Sequence, residues 1–173
     1  MNGPQPNLVL IGYRGTGKSS VARVLAERMR RPVRSSDEEL IARAGMSIPD
    51  FVAANGWDRF RDLEEEIIAE LCAQPGIILD CGGGVVLRAA NRQALRRTGR
   101  VVWLKASPGV IRARIADKAD RPSLTGKPFL EEITEVLAAR EPLYRETAHW
   151  TLDGDPLTVE AMAQAILAWW ENP

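Results

Sequence analysis

Cysteine and histidine are scarce in this chain, and neither sign of charge is in excess. There are 2 cysteines, Cys72 and Cys81, and 1 histidine, His149. So few thiols argue against a disulfide framework and favour reduced cysteines in a cytoplasmic protein. Lys plus Arg and Asp plus Glu number 23 each, so no net field favours nucleic acid or an anionic membrane.

Long apolar runs and targeting signals are also lacking. No stretch is apolar for long enough to span a bilayer. Residues 1–6 lack the charged and apolar regions of a signal peptide. We therefore expect a cytoplasmic protein with no nucleic-acid or membrane partner. We also expect a monomer, because no apolar stripe indicates a dimer interface.

No repeat, low-complexity segment or Pro/Ser-rich linker divides the chain, so we expect one domain over residues 1–173. Short apolar runs alternate with amphipathic stretches, which is typical of a three-layer α/β/α fold around a parallel sheet. The five predicted strands are residues 8–11, 32–35, 77–80, 101–104 and 149–152. The predicted helices are residues 18–30, 37–44, 48–55, 58–73, 88–98, 108–116, 130–146 and 158–171. Right-handed crossovers would place helices on both faces and a ligand at the carboxyl ends of the strands.

The segment from Gly12 to Ser19 reads G-Y-R-G-T-G-K-S and matches the phosphate-binding pattern G-x-x-x-x-G-K-[ST] in full. It lies between a predicted strand and a predicted helix, which is the context that the pattern requires. Its glycines let backbone N–H groups converge on an anion at a helix N-terminus. Lys18 is expected to reach the outer phosphates of a nucleoside triphosphate, and the Ser19 hydroxyl to bind Mg²⁺. The residues expected to bind the nucleotide here are Gly12, Gly15, Thr16, Gly17, Lys18, Ser19 and Ser20.

Three further polar features are candidates for binding the phosphate acceptor. Asp37 follows the second predicted strand, where its carboxylate could take the proton of a substrate hydroxyl, or could instead cap the next helix. Arg61 and Glu64 lie one helical turn apart, either as a surface ion pair or as a guanidinium held ready for a carboxylate. Three consecutive glycines at 82–84 either form a tight turn or let a ligand approach the backbone, with N–H groups free to bind it.

Residues 117–128 are rich in Pro, Gly and charge, and they do not fit a regular element. In a phosphate-transfer enzyme a mobile lid is expected at this place, excluding water and bringing a cation to the transferred group. The alternative is a plain surface loop. Taken alone, Arg121 in this segment and Arg140 beyond it are expected to be solvated surface arginines.

Taken together, these features resemble the shikimate kinases. The motifs that carry the resemblance are the phosphate loop, Asp37, Phe60-Arg61-x-x-Glu64, Gly82-Gly83-Gly84, Arg121-Pro122-x-Leu124 and Arg140-x-x-x-Tyr144. The phosphate loop is common to many kinases, whereas the other motifs in this order are specific, and they span residues 8–156. The resemblance implies a nucleoside-monophosphate-kinase-like fold with a mobile lid. It also implies transfer of the γ-phosphoryl group of ATP, with Mg²⁺, to the 3-hydroxyl of shikimate.

The resemblance assigns catalytic roles to Lys18, Asp37 and Arg121. Asp37 would bind the reacting hydroxyl and act as the base. Lys18, Mg²⁺ and Arg121, the last of these in the lid, would stabilise the charge of the transferred group.

The resemblance also assigns the binding of both substrates. Arg61 and Arg140 would hold the shikimate carboxylate, and Glu64 would orient an arginine. The glycines that line the acceptor site would be Gly82, Gly83 and Gly84. On the nucleotide side, Arg114 would stack on the adenine, and Pro156 would cover its other face.

The chain departs from the family at the metal site. The family has Asp-x-Asp at the end of the second strand, and the first aspartate helps to hold Mg²⁺, whereas this chain has Ser35-Ser36-Asp37. A serine hydroxyl contributes no charge, and Mg²⁺ favours carboxylates. Asp80 is a hypothetical replacement. Strand alternation argues against it, because Asp80 would face away from the phosphates if Cys81 faced them.

Two other functions stay open at this point. A kinase of the same fold could act on another hydroxy acid such as gluconate, although the paired arginines and the triple glycine favour shikimate. A nucleotide-sensing module without catalysis would be consistent with the lost metal carboxylate. The complete set of Lys18, Asp37 and Arg121 argues against it.

Overall fold

A parallel sheet organises the chain in the computed structural model, which describes residues 4–115 and 123–172. The strands are β1 (Asn7–Ile11), β2 (Val33–Ser35), β3 (Ile78–Asp80), β4 (Gly99–Lys105) and β5 (Trp150–Asp153). Every neighbouring pair is parallel, and the order across the sheet is β2-β3-β1-β4-β5. The prediction of a five-stranded parallel sheet is confirmed.

Helices cover both faces of this sheet. They are α1 (Lys18–Met29), α2 (Ser36–Ala44), α3 (Ile48–Cys72), α4 (Ala89–Thr98), α5 (Pro108–Ile115), α6 (Phe129–Thr147) and α7 (Val159–Glu171). A short 3₁₀ turn over Val85–Leu87, which the sequence did not predict, follows the three glycines. Within the described ranges, no helix has both the length and the apolar character that a membrane crossing requires.

The two faces of β1 belong to two separate cores. Val9 and Ile11 pack with the side chains of α2, α3 and α4, whereas Leu8 and Leu10 pack with those of α1 and α7. A strand that is buried on both faces carries a continuous apolar run, as this one does. The alternation of side chains therefore builds the predicted three layers.

The structure has a kink within one helix where the sequence predicted a boundary between two helices. The sequence predicted separate helices over residues 48–55 and 58–73, and the structure has the single element α3 with a break at Gly56. The φ of Gly56 is 81°, in the left-handed region that glycine enters without strain. The break separates the first part of α3 from the part that carries Arg61.

The carboxyl ends of β2, β3 and β1 lie side by side at one edge of the sheet. The phosphate loop follows β1, Asp37 follows β2, and the three glycines follow β3. Parallel strands bring these segments to the same edge, which is where α/β proteins bind their ligands.

Candidate active site

The phosphate loop turns sharply between β1 and α1. Gly12, Gly15 and Gly17 have φ values of 145°, 80° and 96°, all in the left-handed region that favours glycine. A Cβ on Gly12 would lie 2.5 Å from the carbonyl oxygen of Leu104, so no side chain fits there. The loop ends at the N-terminus of α1, where backbone N–H groups and the helix dipole favour an anion.

The polar side chains of the loop have different partners. Thr16 Oγ1 donates a hydrogen bond of 2.9 Å to the carbonyl of Tyr13, so the Thr16 backbone, rather than its hydroxyl, is the part available to a phosphate. Lys18 Nζ donates to the carbonyls of Gly12 and Tyr13 at 2.8 and 3.0 Å. The Lys18 ammonium is thus held directly over the loop into which it would bring its charge.

Asp80, the last residue of β3, faces the phosphate loop. Its Oδ2 accepts a hydrogen bond of 2.6 Å from Ser19 Oγ. Burial raises the pKa of the Asp80 carboxyl, whereas the charge of Lys18 and the hydrogen bond from Ser19 lower it. The expectation that Asp80 faces away is wrong. Because β3 ends at this residue and the chain turns into the glycines, Asp80 and Cys81 both border the cleft.

Asp37 reaches the same cleft from the end of β2. The N-cap of α2 is Ser35, whose hydroxyl accepts a hydrogen bond of 3.3 Å from the N–H of Glu38. Asp37 lies inside the first turn, so the alternative that Asp37 caps this helix is wrong. With Ser35 as the cap, the Asp37 carboxylate lines the cleft.

The cleft that contains these groups has a volume of about 680 Å³. The predicted site residues that line it are Gly15, Gly17, Lys18, Ser19, Ser20, Asp37, Gly82, Gly83 and Arg114. Opposite charges from Lys18 and Asp37 therefore meet in one space at the sheet edge.

Arg114 and Pro156 are the two residues predicted to contact the adenine. Arg114 in α5 donates from Nη1 to the carbonyl of Gly15 at 3.3 Å, so it lies beside the phosphate loop, and its stacking on the adenine stays a prediction. Pro156 is exposed and is not among the residues that line the cleft, and its contact with the adenine stays a prediction. The residues after it line the cleft instead, at the start of α7: Leu157, Thr158 and Val159.

Arg61 and Glu64 form a buried ion pair in α3, with 2.8 Å between Nη1 and Oε1. Arg61 is 8% exposed and Glu64 2%, so the alternative of a surface pair is wrong. The guanidinium also lies over the rings of Phe60 and Trp57, at 5.0 and 5.4 Å from their centroids. Packing and the carboxylate together fix the direction of a charge that would otherwise be costly to bury.

Arg140 comes from α6 and is 6% exposed, so the expectation from the residue alone, a solvated surface arginine, is wrong. Its guanidinium lies 6.0 Å from the centroid of the Tyr13 ring. One turn further along α6, the Tyr144 hydroxyl donates a hydrogen bond of 2.6 Å to the carbonyl of Gly83. Burial raises the pKa of Tyr144 to about 12, so this hydroxyl remains a donor at neutral pH.

A narrow cavity of about 20 Å³ lies between the two buried arginines. Its walls are formed by Tyr13, Arg14, Trp57, Arg61, Gly83, Leu124 and Arg140. Arg14 and Gly83 also line the larger cleft, so the two spaces adjoin at the phosphate loop. Sequence reasoning missed Tyr13 and Arg14, because both occupy variable positions of the loop pattern.

The three glycines after β3 have different neighbours. The N–H of Gly82 donates a hydrogen bond of 2.9 Å to Ser36 Oγ, so the expectation of free N–H groups is wrong for this residue. A Cβ on Gly83 would lie 3.5 Å from Arg140 Nη1. A Cβ on Gly84 would clash with the Arg61 guanidinium. Gly84 is therefore required because a buried arginine packs against its α-carbon.

Arg121 and the first half of the predicted lid, residues 117–122, lie outside the described residues. The second half, residues 123–128, contributes Leu124 to the wall of the narrow cavity. The role of Arg121 stays a prediction.

Several known proteins are similar to this chain. The family model for shikimate kinase matches residues 14–171. A shikimate kinase of Pseudomonas syringae is 42% identical over 162 residues, which are 94% of this chain and 94% of that protein. A shikimate kinase of Symbiobacterium thermophilum is 40% identical, over 93% of this chain and 94% of that protein.

Solved structures agree with the sequence matches. Shikimate kinase from Acinetobacter baumannii in complex with shikimate has a TM-score of 0.92 and 33% identity, covering 96% of this chain and 93% of that chain. Shikimate kinase from Aquifex aeolicus has a TM-score of 0.83 and 28% identity, covering 95% of this chain and 96% of that chain. The fold is the nucleoside-monophosphate-kinase-like fold of P-loop kinases, and the chain belongs to the shikimate kinase family.

Proposed function

We propose that this protein transfers the γ-phosphoryl group of ATP to the 3-hydroxyl of shikimate, giving shikimate 3-phosphate and ADP. One observation carries the proposal. A cavity between two buried guanidiniums adjoins a cleft that contains both a phosphate-binding lysine and a carboxylate. Such a pair of spaces suits an acceptor that has a carboxylate at one end and a hydroxyl at the other.

Arg61 and Arg140 would bind the shikimate carboxylate. They reach the cavity from two different helices, and guanidinium forks recognise a carboxylate through paired hydrogen bonds. Glu64 would keep Arg61 directed at the substrate. With its carboxylate held in this way, the acid would extend toward Gly83 and the larger cleft, where its hydroxyl would meet Asp37.

Asp37 would accept the proton of the 3-hydroxyl as that oxygen bonds to the γ-phosphorus and the bond to the β,γ-bridging oxygen breaks. Lys18 would exchange its carbonyl partners for phosphate oxygens and neutralise their charge. Arg121 would add a second cation. In-line transfer of this kind needs mainly positioning and charge stabilisation, so no covalent enzyme intermediate is required.

Shikimate kinases use ATP and Mg²⁺, and the residues present suit the metal. Ser19 Oγ and Asp80 Oδ2, which are hydrogen-bonded at 2.6 Å beside the phosphate loop, would supply oxygen ligands to the metal. In the part of the chain that the structure describes, no group of three or more His, Cys, Asp or Glu residues could hold a metal ion. Mg²⁺ commonly uses one or two protein oxygens and completes its shell with phosphates and water. When bound, it neutralises charge on the β- and γ-phosphates.

We propose that Asp80 replaces the metal-side aspartate that the family has where this chain has Ser35. Ser35 and Asp80 are direct partners in the parallel pairing of β2 with β3. Neighbouring strands lie about 4.8 Å apart, so the carboxylate of this chain stands one strand away from the position of the family's aspartate. Ser35 has meanwhile become the helix cap, which leaves the metal side to Asp80.

Replacing Asp80 with asparagine is expected to raise the Mg²⁺ concentration for half-maximal activity by about tenfold, because a charged oxygen ligand is lost. Titrating Mn²⁺ into the ADP complex and following it by electron paramagnetic resonance measures the same loss without turnover. Adding Ser35→Asp to that variant should restore much of the metal affinity, since the new carboxylate stands on the register partner. Unchanged metal affinity in Asp80→Asn would remove Asp80 from the site.

Alanine in place of Gly84 is expected to raise the KM for shikimate by about tenfold or more, because the new Cβ must displace the Arg61 guanidinium. The KM for ATP should stay within about twofold, since Arg61 lines the acceptor cavity and would bind the acceptor rather than the nucleotide. Gly109→Ala is the matched control, as a Cβ there meets nothing within 4 Å. Equal effects of the two substitutions on the KM for shikimate would contradict this use of Gly84.

A coupled ADP-release assay with shikimate, quinate and gluconate tests the proposed function itself. We expect rapid ADP release with shikimate and little with the other two acids. Preference for gluconate would indicate another hydroxy-acid kinase of the same fold. ADP release with none of the acids, in a protein that still binds ATP, would favour a sensing module.

We also propose that residues 1–173 form one kinase domain that acts as a monomer, with residues 37–73 forming the acceptor side and residues 117–128 the lid. Arg114 would stack on the adenine. Leu157, Thr158 and Val159 support a position for the opposite wall just beyond Pro156, because they line the cleft there.

A further inference from the structure

A buried carboxylate in α6 has no role in the proposed reaction. Glu132 is 2% exposed. Its Oε1 accepts hydrogen bonds from Ser123 Oγ at 3.0 Å, from the N–H of Thr125 at 2.9 Å and from the N–H of Leu124. Burying a carboxylate is costly unless donors surround it. Here the donors come from one segment of three residues, so Glu132 binds that segment as a unit.

The segment that Glu132 binds forms part of the acceptor cavity. Leu124 lines this cavity together with Arg61 and Arg140. It also packs against an apolar cluster that includes Ile133, the residue next to Glu132 in α6. Glu132 thus fixes both the backbone and, through its neighbour, the side-chain packing of one cavity wall.

The same helix carries the opposite wall. Arg140 lies about two turns beyond Glu132 along α6. One helix therefore sets the distance between two walls of the cavity. These are Arg140, which would hold the acid, and Leu124, which would face its ring. Because the cavity is only about 20 Å³, the position of Leu124 decides whether the ring of an acceptor fits beside the two arginines.

We propose that Glu132 is a positioning residue for the acceptor, which acts by holding residues 123–125 so that Leu124 closes the cavity against Arg61 and Arg140. This inference rests on the proposed function. It predicts a defect that is specific to the acceptor, because the described partners of Glu132 are Ser123, Leu124 and Thr125, and Leu124 lines the acceptor cavity.

The test compares Glu132→Ala with Glu135→Ala in the full-length protein. Glu135 is on the same helix and binds the same stretch of chain through Lys127 at 2.6 Å, but both side chains of that ion pair are 52% exposed. In Glu132→Ala we expect the KM for shikimate to rise about tenfold, with the KM for ATP unchanged within about twofold. Amide exchange at Leu124 and Thr125 should also accelerate about tenfold or more, since their acceptor is gone. Glu135→Ala should change neither quantity.

Two further variants keep the test decisive if Glu132→Ala does not fold. Glu132→Gln retains the volume and an acceptor oxygen, so it should show a smaller rise in the same KM. Ser123→Ala removes one donor and leaves the carboxylate with the two backbone N–H groups. An intermediate, acceptor-specific effect in either variant supports the proposal.

Three results would overturn the proposal. The amides of residues 124 and 125 could keep their protection without the carboxylate. They could lose it while the KM for shikimate stays the same, or both KM values could rise together. Failure of the proposed function is a distinct outcome, because the unaltered protein would then not phosphorylate shikimate, whatever the exchange data show.

Discussion

Asparagine in place of Asp37 should lower kcat with shikimate by about 100- to 10,000-fold, the usual effect of losing a general base. The amide keeps the size of the side chain and its place in the first turn of α2. It cannot take the proton of the hydroxyl that attacks the phosphorus. Binding of ATP should change by less than about twofold, because nucleotide affinity comes mainly from the phosphate loop. Steady-state kinetics and an equilibrium titration with a fluorescent ATP analogue measure the two quantities.

Glu38→Gln is the control that separates a positioned base from general electrostatics. Glu38 lines the same cleft, is adjacent in sequence and carries the same charge. Its neutralisation should leave kcat within about threefold, since a field effect from an exposed charge is weak. A similar loss in both variants, or a normal rate in Asp37→Asn, would remove Asp37 as the base.

Lysine in place of Arg61 or Arg140 should raise the KM for shikimate by about 10- to 100-fold, because an ammonium group cannot make the paired contact of a planar fork. Each variant keeps its positive charge, so a large effect would report geometry rather than charge. The KM for ATP should stay nearly constant. Arg61→Lys should also lose part of the ion pair with Glu64, which now fixes the guanidinium.

Arg59→Lys is the matched control for this pair of substitutions. Arg59 is on the same helix as Arg61, but it is 54% exposed and lies 3.9 Å from Glu66. The control should leave both KM values unchanged. If the KM for shikimate also stayed constant in Arg61→Lys and Arg140→Lys, the acid would have to bind elsewhere.

The fold and the nucleotide side of the site could be predicted well from the sequence, because their signals are local. A run such as Leu8 to Ile11 is apolar on both faces, which indicates a strand inside a three-layer fold. The phosphate loop is one contiguous motif whose glycines meet a backbone requirement that no other residue satisfies. The ordered motifs then identified the family, which the family model confirms.

The surroundings of individual side chains were harder to predict, because they depend on where the strands and helices end. Ser35 is the N-cap of α2, so the Asp37 carboxylate is not used as the cap and lines the cleft instead. Asp80 turned toward Ser19 because β3 stops there, so the alternation of a continuing strand did not apply. The N–H of Gly82 is not free, because it donates a hydrogen bond to the hydroxyl of Ser36 in α2.

Contacts between distant segments left no sequence pattern at all. Glu132 looks like one of several acidic residues in the first turns of α6, and only the folded chain shows it buried under residues 123–125. Trp57 and Arg61 line the same cavity as Leu124, although two of the five strands, β3 and β4, lie between them along the chain. A single sequence carries no record of such packing.

The most direct test of this account is a crystal structure of the protein with shikimate and ADP. We expect the carboxylate of the acid to lie within hydrogen-bonding distance of both Arg61 and Arg140, with its 3-hydroxyl directed at the Asp37 carboxylate. An acid bound with its carboxylate away from both guanidiniums, or with another hydroxyl facing Asp37, would contradict the account.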